Sequence, residues 1–102
     1  MAAAERYAWR PDWAVHPGEL LKDELVEREM TQTALAEATG FTQKHISMVV
    51  TGKAGIGIEL ALALERLWGT RGEVWMRLQA DFDCHQVRHG LRPLASREEV
   101  VS

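Results

Sequence analysis

Gln43, Lys44, Ser47 and Met48 fall within six residues of one another at helical spacing, and on a helix they share the side opposite Ile46 and Val49. An amide, an ammonium, a hydroxyl and a thioether, with His45 beside them, make a poor core. The same groups match what a DNA major groove offers, namely donors, acceptors and thymine methyls along the edges of the bases. The plainer alternative is a helical hairpin buried in an ordinary bundle. The polar composition of this face favours the groove.

A face of this kind needs a short helix held at a fixed angle against a second one. The stretch Gln32 to Thr51, QTALAEATGFTQKHISMVVT, provides both. Leu35 and Ala36 share one face of a first helical pattern, bounded by Gln32, Thr33 and Glu37; Ile46 and Val49 form the apolar side of the second. Gly40 stands where a tight turn needs a residue free to take positive φ. Ala36 is small where the second helix must cross close, and the Thr42 hydroxyl can cap that helix. The layout is a helix-turn-helix, read together from Leu35, Ala36, Gly40, Phe41, Ile46 and Val49.

The rest of the chain reads as support. The sequence has 102 residues, 46% of them hydrophobic, enough for one domain with a modest core. Residues 1–15 read as an N-terminal arm, 16–89 as the DNA-binding and dimerisation domain, and 90–102 as a flexible tail. In the arm, Tyr7, Trp9 and Trp13 are expected to pack back onto the domain. His16-Pro17-Gly18-Glu19 opens a helix running to about Glu29, with proline at its first position, an acid in its first turn, and Leu21, Leu25 and Val26 toward the core. Thr51 to Gly57 is a glycine-rich loop that presents Lys53; its spacing is not that of a nucleotide-binding P-loop. Leu60, Leu64 and Leu67 then recur at i, i+4 and i+7, up to a Gly69 cap. A last helix over about Gly72 to His89 carries Val74, Trp75, Leu78 and Phe82 on one stripe. The expectation is an all-α fold of five helices.

Charge narrows the function. The net charge is −3, which is unfavourable for contact with phosphates, but it is unevenly spread. Glu19 to Glu29 holds five acids against two bases, whereas Thr31 to Ile58 holds Lys44 and Lys53 against Glu37. Phosphate attraction per monomer should be weak, so useful affinity calls for a dimer. The stripe of Trp68, Val74, Trp75, Leu78 and Phe82 exceeds what a core of this size needs, so the C-terminal half is expected to form a homodimer. Cys84 is the only cysteine, which excludes an internal disulfide and suits a reducing cytoplasm. No apolar run has transmembrane length, and no membrane partner is expected.

Catalytic chemistry finds little footing. The chain has no nucleophile–base pair, paired-carboxylate motif or metalloprotease helix, and we read it as a non-enzyme without cofactor. His85 and His89 lie four apart near Asp81 and Cys84 and could share a metal. Their type and number are not those of a closed zinc site, so a solvated face is expected and no metal.

The Thr31–Lys53 stretch resembles the Xre/Cro (lambda-repressor-like) helix-turn-helix, through Thr31-Gln32, Thr42-Gln43 and Gly52-Lys53. More narrowly, the chain is similar to the HigA (VapI) family of antitoxins. The matching segments are Pro11-Asp12-Trp13, His16-Pro17-Gly18-Glu19-Leu20-Leu21, Thr31-Gln32, Leu35-Ala36, Thr51-Gly52-Lys53 and Trp75-Met76-Arg77-Leu78-Gln79-Ala80-Asp81-Phe82. The likeness runs from about Trp9 to Phe82. Gln43 departs from the arginine frequent in this branch, and Gly57 stands where a Ser or Thr cap is usual.

The resemblance implies roles residue by residue. Gln43 and Lys44 would read bases, glutamine on adenine N6/N7 and lysine on guanine O6/N7, with Ser47 and Met48 adding a hydrogen bond and a thymine-methyl contact. Gln32, Thr33, His45, Thr51 and Lys53 would meet phosphates, and Thr42 joins them at the start of the second helix. The resemblance also implies a dimeric repressor on a palindromic operator of its own operon, neutralising a HigB/RelE-like ribonuclease toxin. A solitary phage-type repressor would share these features. So would a toxin-clamping module with little DNA binding, which the acidic first helix favours as a surface for a basic ribonuclease.

Overall fold

The computed structural model describes residues 14–90, and in them all regular structure is helical: α1 Pro17–Glu27, α2 Gln32–Thr39, α3 Gln43–Val50, α4 Ile58–Trp68 and α5 Gly72–Arg88. The expected packing of Trp9 and Trp13 and the expected flexibility of the segment after Gly90 lie outside the described residues. No helix among the described residues is long and apolar enough to cross a membrane.

The first three helices begin where a neighbouring side chain provides for a free N–H group. His16 precedes Pro17, and its Nδ1 accepts from the Gly18 N–H at 2.9 Å. Thr31 and Thr42 cap α2 and α3, their hydroxyls accepting from the N–H of Ala34 and His45 at 3.0 Å each. Gly57 leaves α4 without a side-chain cap. The turn between α2 and α3 is made by Gly40 at φ 83°, in the left-handed region.

Helix α1 ends two residues before the expected Glu29. Glu29 itself takes φ 53°, the Glu29 N–H donates to the Val26 carbonyl, and the Met30 N–H donates to that of Leu25. This is the paired closure usually built on glycine.

The core gathers Leu20, Leu21, Leu25, Leu35, Ile46, Val49, Ile56, Leu60, Leu64, Trp75 and Leu78. α2 packs on α3 and α4, α1 on α3 and α5, and α4 on α5, so the helix-turn-helix is backed on two sides. Buried Glu24 pairs with Arg28 at 3.1 Å, and the Arg28 guanidinium lies 4.6 Å from the Trp68 ring centre, joining the end of α1 to the end of α4.

Two expectations about apolar residues are corrected. Val26 is 70% exposed, because Leu21 and Leu25 already fill the inward stripe of α1. Leu67 is 37% exposed, since α4 turns its Leu60, Ala61 and Leu64 side inward. Of the C-terminal stripe, Trp75 and Leu78 are buried within the single chain, while Trp68, Val74 and Phe82 are half-buried. The most exposed large apolar groups in this half are Ile58 and Leu62, one turn apart on α4.

Candidate nucleic-acid interface

Helix α3 has a divided surface. Ile46 and Val49 are fully buried and anchor it to the core, while Gln43 and Lys44 are exposed and Ser47 and Met48 are half-buried. Gln43 with Ser47, and Lys44 with Met48, are neighbours at i and i+4 along the outward side. The first turn is held by the Thr42 cap, and the His45 ring stacks on Phe41, with centroids 5.2 Å apart and planes 21° off parallel. Gln43 and Lys44 therefore project from a turn whose backbone and flanking ring are both fixed.

Threonines occupy the start of both helices. Thr33 and Thr42 are exposed and Gln32 is half-buried at the start of α2. The Thr42 hydroxyl already accepts from a backbone N–H, and Thr51 donates its hydroxyl proton back to the Ser47 carbonyl at 2.9 Å. The Thr42 hydroxyl keeps its proton to donate, whereas the Thr51 hydroxyl has spent its proton and can only accept. Lys53 is exposed just beyond Gly52, which takes φ 81°. Between Thr31 and Gly57 the only charged side chains are Glu37, Lys44 and Lys53. The structure thus brings Gln43, Lys44, Ser47 and Met48 onto one helix surface. Thr42 and Lys53 lie at its two ends, and Gln32 and Thr33 on the neighbouring helix.

Two residues that hold this surface in place had not been singled out as functional. His16 lies against Gly52, and its ring meets Phe82 edge-on, with centroids 4.8 Å apart. Burial pushes its pKa below the ordinary value of 6.5, against the opposing pull of the Asp83 and Glu19 carboxylates and a hydrogen bond to the Ala54 backbone. Gln79 of α5 accepts the Ile56 N–H at 2.8 Å. The signal for both was present in the two segments His16-Pro17-Gly18-Glu19 and Leu78-Gln79-Ala80.

The His85 and His89 rings lie 4.3 Å apart between centroids, tilted by 35°. Among the described residues no three His, Cys, Asp or Glu side chains are grouped to hold a metal.

Residues 21–74 match the helix-turn-helix family HTH_3. "Virulence-associated protein I" of Dichelobacter nodosus is 32% identical over 71 residues, 69% of this chain and 66% of its own length. The chain spans just under two thirds of the length of the curated relatives it matches. Among solved structures, a HigA-family addiction module antidote protein from Coxiella burnetii superposes with a TM-score of 0.71 at 28% identity, covering 74% of this chain and 84% of that one. The Pseudomonas aeruginosa antitoxin HigA, solved with the higBA promoter, gives 0.68 at 30% identity, covering 81% of this chain and 100% of that one.

Proposed function

The chain belongs to the helix-turn-helix family HTH_3, in its HigA (VapI) branch, and from that premise we propose that it is the antitoxin and repressor of a toxin–antitoxin operon. In this reading it acts in the cytoplasm as a homodimer on a palindromic operator upstream of its own gene, and it neutralises a HigB/RelE-like ribonuclease toxin. The observation that carries the DNA half is the divided surface of α3, with Gln43 and Lys44 exposed on a capped first turn and Ile46 and Val49 buried behind them. A relative solved with its promoter uses the same fold. For the toxin half, the support is the outward side of α1, where Glu19 and Glu27 are exposed and Val26 is 70% exposed. An acidic surface with an apolar group in it suits a basic ribonuclease.

Gln43 and Lys44 read base edges in this proposal, with Ser47 and Met48 one turn on. Gln32, Thr33, Thr42, His45, Thr51 and Lys53 meet the backbone and fix register. The test is a titration of labelled duplex from upstream of the gene against a scrambled duplex of equal composition, at low and moderate salt. Specific binding should persist as salt rises while binding to the scrambled duplex disappears. Equal affinity for both duplexes at every salt concentration would refute operator recognition.

A further inference from the structure

The loop from Thr51 to Gly57 carries Lys53 on very little side-chain bulk, since Gly52, Ala54, Gly55 and Gly57 make up most of it. Such a segment has much conformational entropy to lose, and its position must come from its backbone hydrogen bonds. The first of these are local. The Gly52 N–H donates to the Val49 carbonyl at 3.1 Å, and those of Lys53 and Ala54 both donate to the Met48 carbonyl, at 2.8 and 3.1 Å. They close the end of α3 but leave the return to α4 unanchored.

That anchor comes from a distant helix. The Ile56 N–H donates to Oε1 of Gln79 at 2.8 Å, across 23 residues of sequence. The same amide donates through Nε2 to Oδ1 of Asp83 at 3.0 Å. Asp83 therefore helps set which end of the amide faces the loop, because the reverse orientation would bring two acceptors together at Asp83 as well as two donors at Ile56. The loop is shaped to admit it: a Cβ on Gly55 would stand 2.9 Å from the Gln79 oxygen. Ile56, 2% exposed, then fixes the loop in the core.

We propose that Gln79, oriented by Asp83, is a positioning residue for DNA binding: it holds the 51–57 backbone so that Lys53 meets a phosphate, without touching DNA itself. This rests on the reading of Lys53 as a phosphate contact. A lysine side chain is long and freely rotating, so the location of its backbone decides how much entropy a phosphate contact costs.

The test compares full-length wild type with Gln79→Met, Gly55→Ala, Lys53→Ala and the Gln79→Met/Lys53→Ala double variant. Methionine keeps the bulk of Gln79 and removes the acceptor, whereas Gly55→Ala disturbs the same contact from the loop side. If one variant fails to fold, the other serves. Two quantities are read: amide hydrogen exchange of the free protein, and binding of the upstream duplex over a series of salt concentrations.

In Gln79→Met and in Gly55→Ala, exchange at Ile56 should rise about tenfold while the amides of Leu20 and Leu64 are unchanged. Duplex binding should weaken by about three- to tenfold, and the salt slope should fall as it does in Lys53→Ala. Lys53→Ala should add nothing in the Gln79→Met background. The proposal is overturned if Lys53→Ala lowers the slope while Gln79→Met leaves it unchanged and the two effects add; Gln79 is then a stability contact alone. A Lys53→Ala variant with the wild-type slope, or a duplex that wild type does not bind, defeats the underlying reading instead.

Discussion

A Cβ placed on Gly18 would overlap the carbonyl oxygen of Val49, so the first turn of α1 rests directly on the last turn of the recognition helix. The contact is backbone against backbone, and neither partner has a flexible end that could yield. Through it the His16-Pro17-Gly18-Glu19 segment fixes the depth at which α3 sits in the domain. Gly18→Ala should therefore cost about 3 kcal/mol, the upper end of overpacking penalties, and lower the thermal midpoint by about 12 °C or more. Differential scanning calorimetry measures this directly; a midpoint within about 2 °C of wild type would show that α1 and α3 can separate at no cost.

His16 joins that contact to pH. Burial holds its imidazole below 6.5, and Nδ1 must stay unprotonated to accept the Gly18 N–H. The unfolded chain takes up a proton near pH 6.5, before the folded chain does. The stability associated with His16 is thus fully present above about pH 6.5 and is lost as pH falls from there through the folded-state pKa. Urea unfolding at pH 7.5 and pH 5.5 should show the folded state weaker at the lower pH. His16→Asn, which caps without titrating, should remove part of that difference. An identical pH profile in the two proteins would mean the imidazole is not the group responsible.

The turn and the recognition helix were legible because their signals are local. Gly40 and Thr42 act within one turn of themselves, Ile46 and Val49 are legible from their three-residue spacing, and the structure places all four as the pattern implies. What escaped is of two kinds. Val26 and Leu67 read as core because their types and spacing allow it, but which apolar stripe is used depends on the neighbouring helices. Gln79 and His16 escaped as site residues because their partners, Ile56 and Ala54, lie 23 and 38 residues away. No periodicity records contacts over such separations.

The closure of α1 on Glu29 gives a further test. A non-glycine residue at φ 53° costs on the order of 1–2 kcal/mol, part of which glycine would return as extra freedom of the unfolded chain. Glu29→Gly should therefore stabilise the protein by about 0.5 kcal/mol, seen as a higher urea midpoint with unchanged slope. A lower midpoint would show that the Glu29 side chain contributes more than its backbone costs.

The dimer is expected to centre on α4, because Trp75 and Leu78 of the C-terminal stripe are already buried and its Trp68, Val74 and Phe82 are half-buried. Ile58 and Leu62, 57% and 43% exposed one turn apart, are the most exposed large apolar groups there. Wild type should give twice the monomer mass by light scattering at tens of micromolar, and Ile58→Glu with Leu62→Glu should give a folded monomer. A double variant that remains dimeric would move the interface elsewhere.

Gln43 and Lys53 should fail in different ways, and the difference separates reading from holding. Gln43 is exposed on the capped first turn of α3, where an amide can pair with a base edge. Its loss should cost about 1–3 kcal/mol on the operator and relax preference at one position of each half-site. Lys53 lies beyond the helix on a loop, where an ammonium meets the uniform phosphate backbone. Its loss should weaken all duplexes alike and lower the salt slope by about one per monomer. In a symmetric dimer each effect appears twice, at half-sites about one helical turn apart. Competition titrations with single-position operator variants give both quantities in one experiment. If Gln43→Ala weakens every duplex equally, the glutamine holds the backbone, and base reading passes to Lys44 and Ser47.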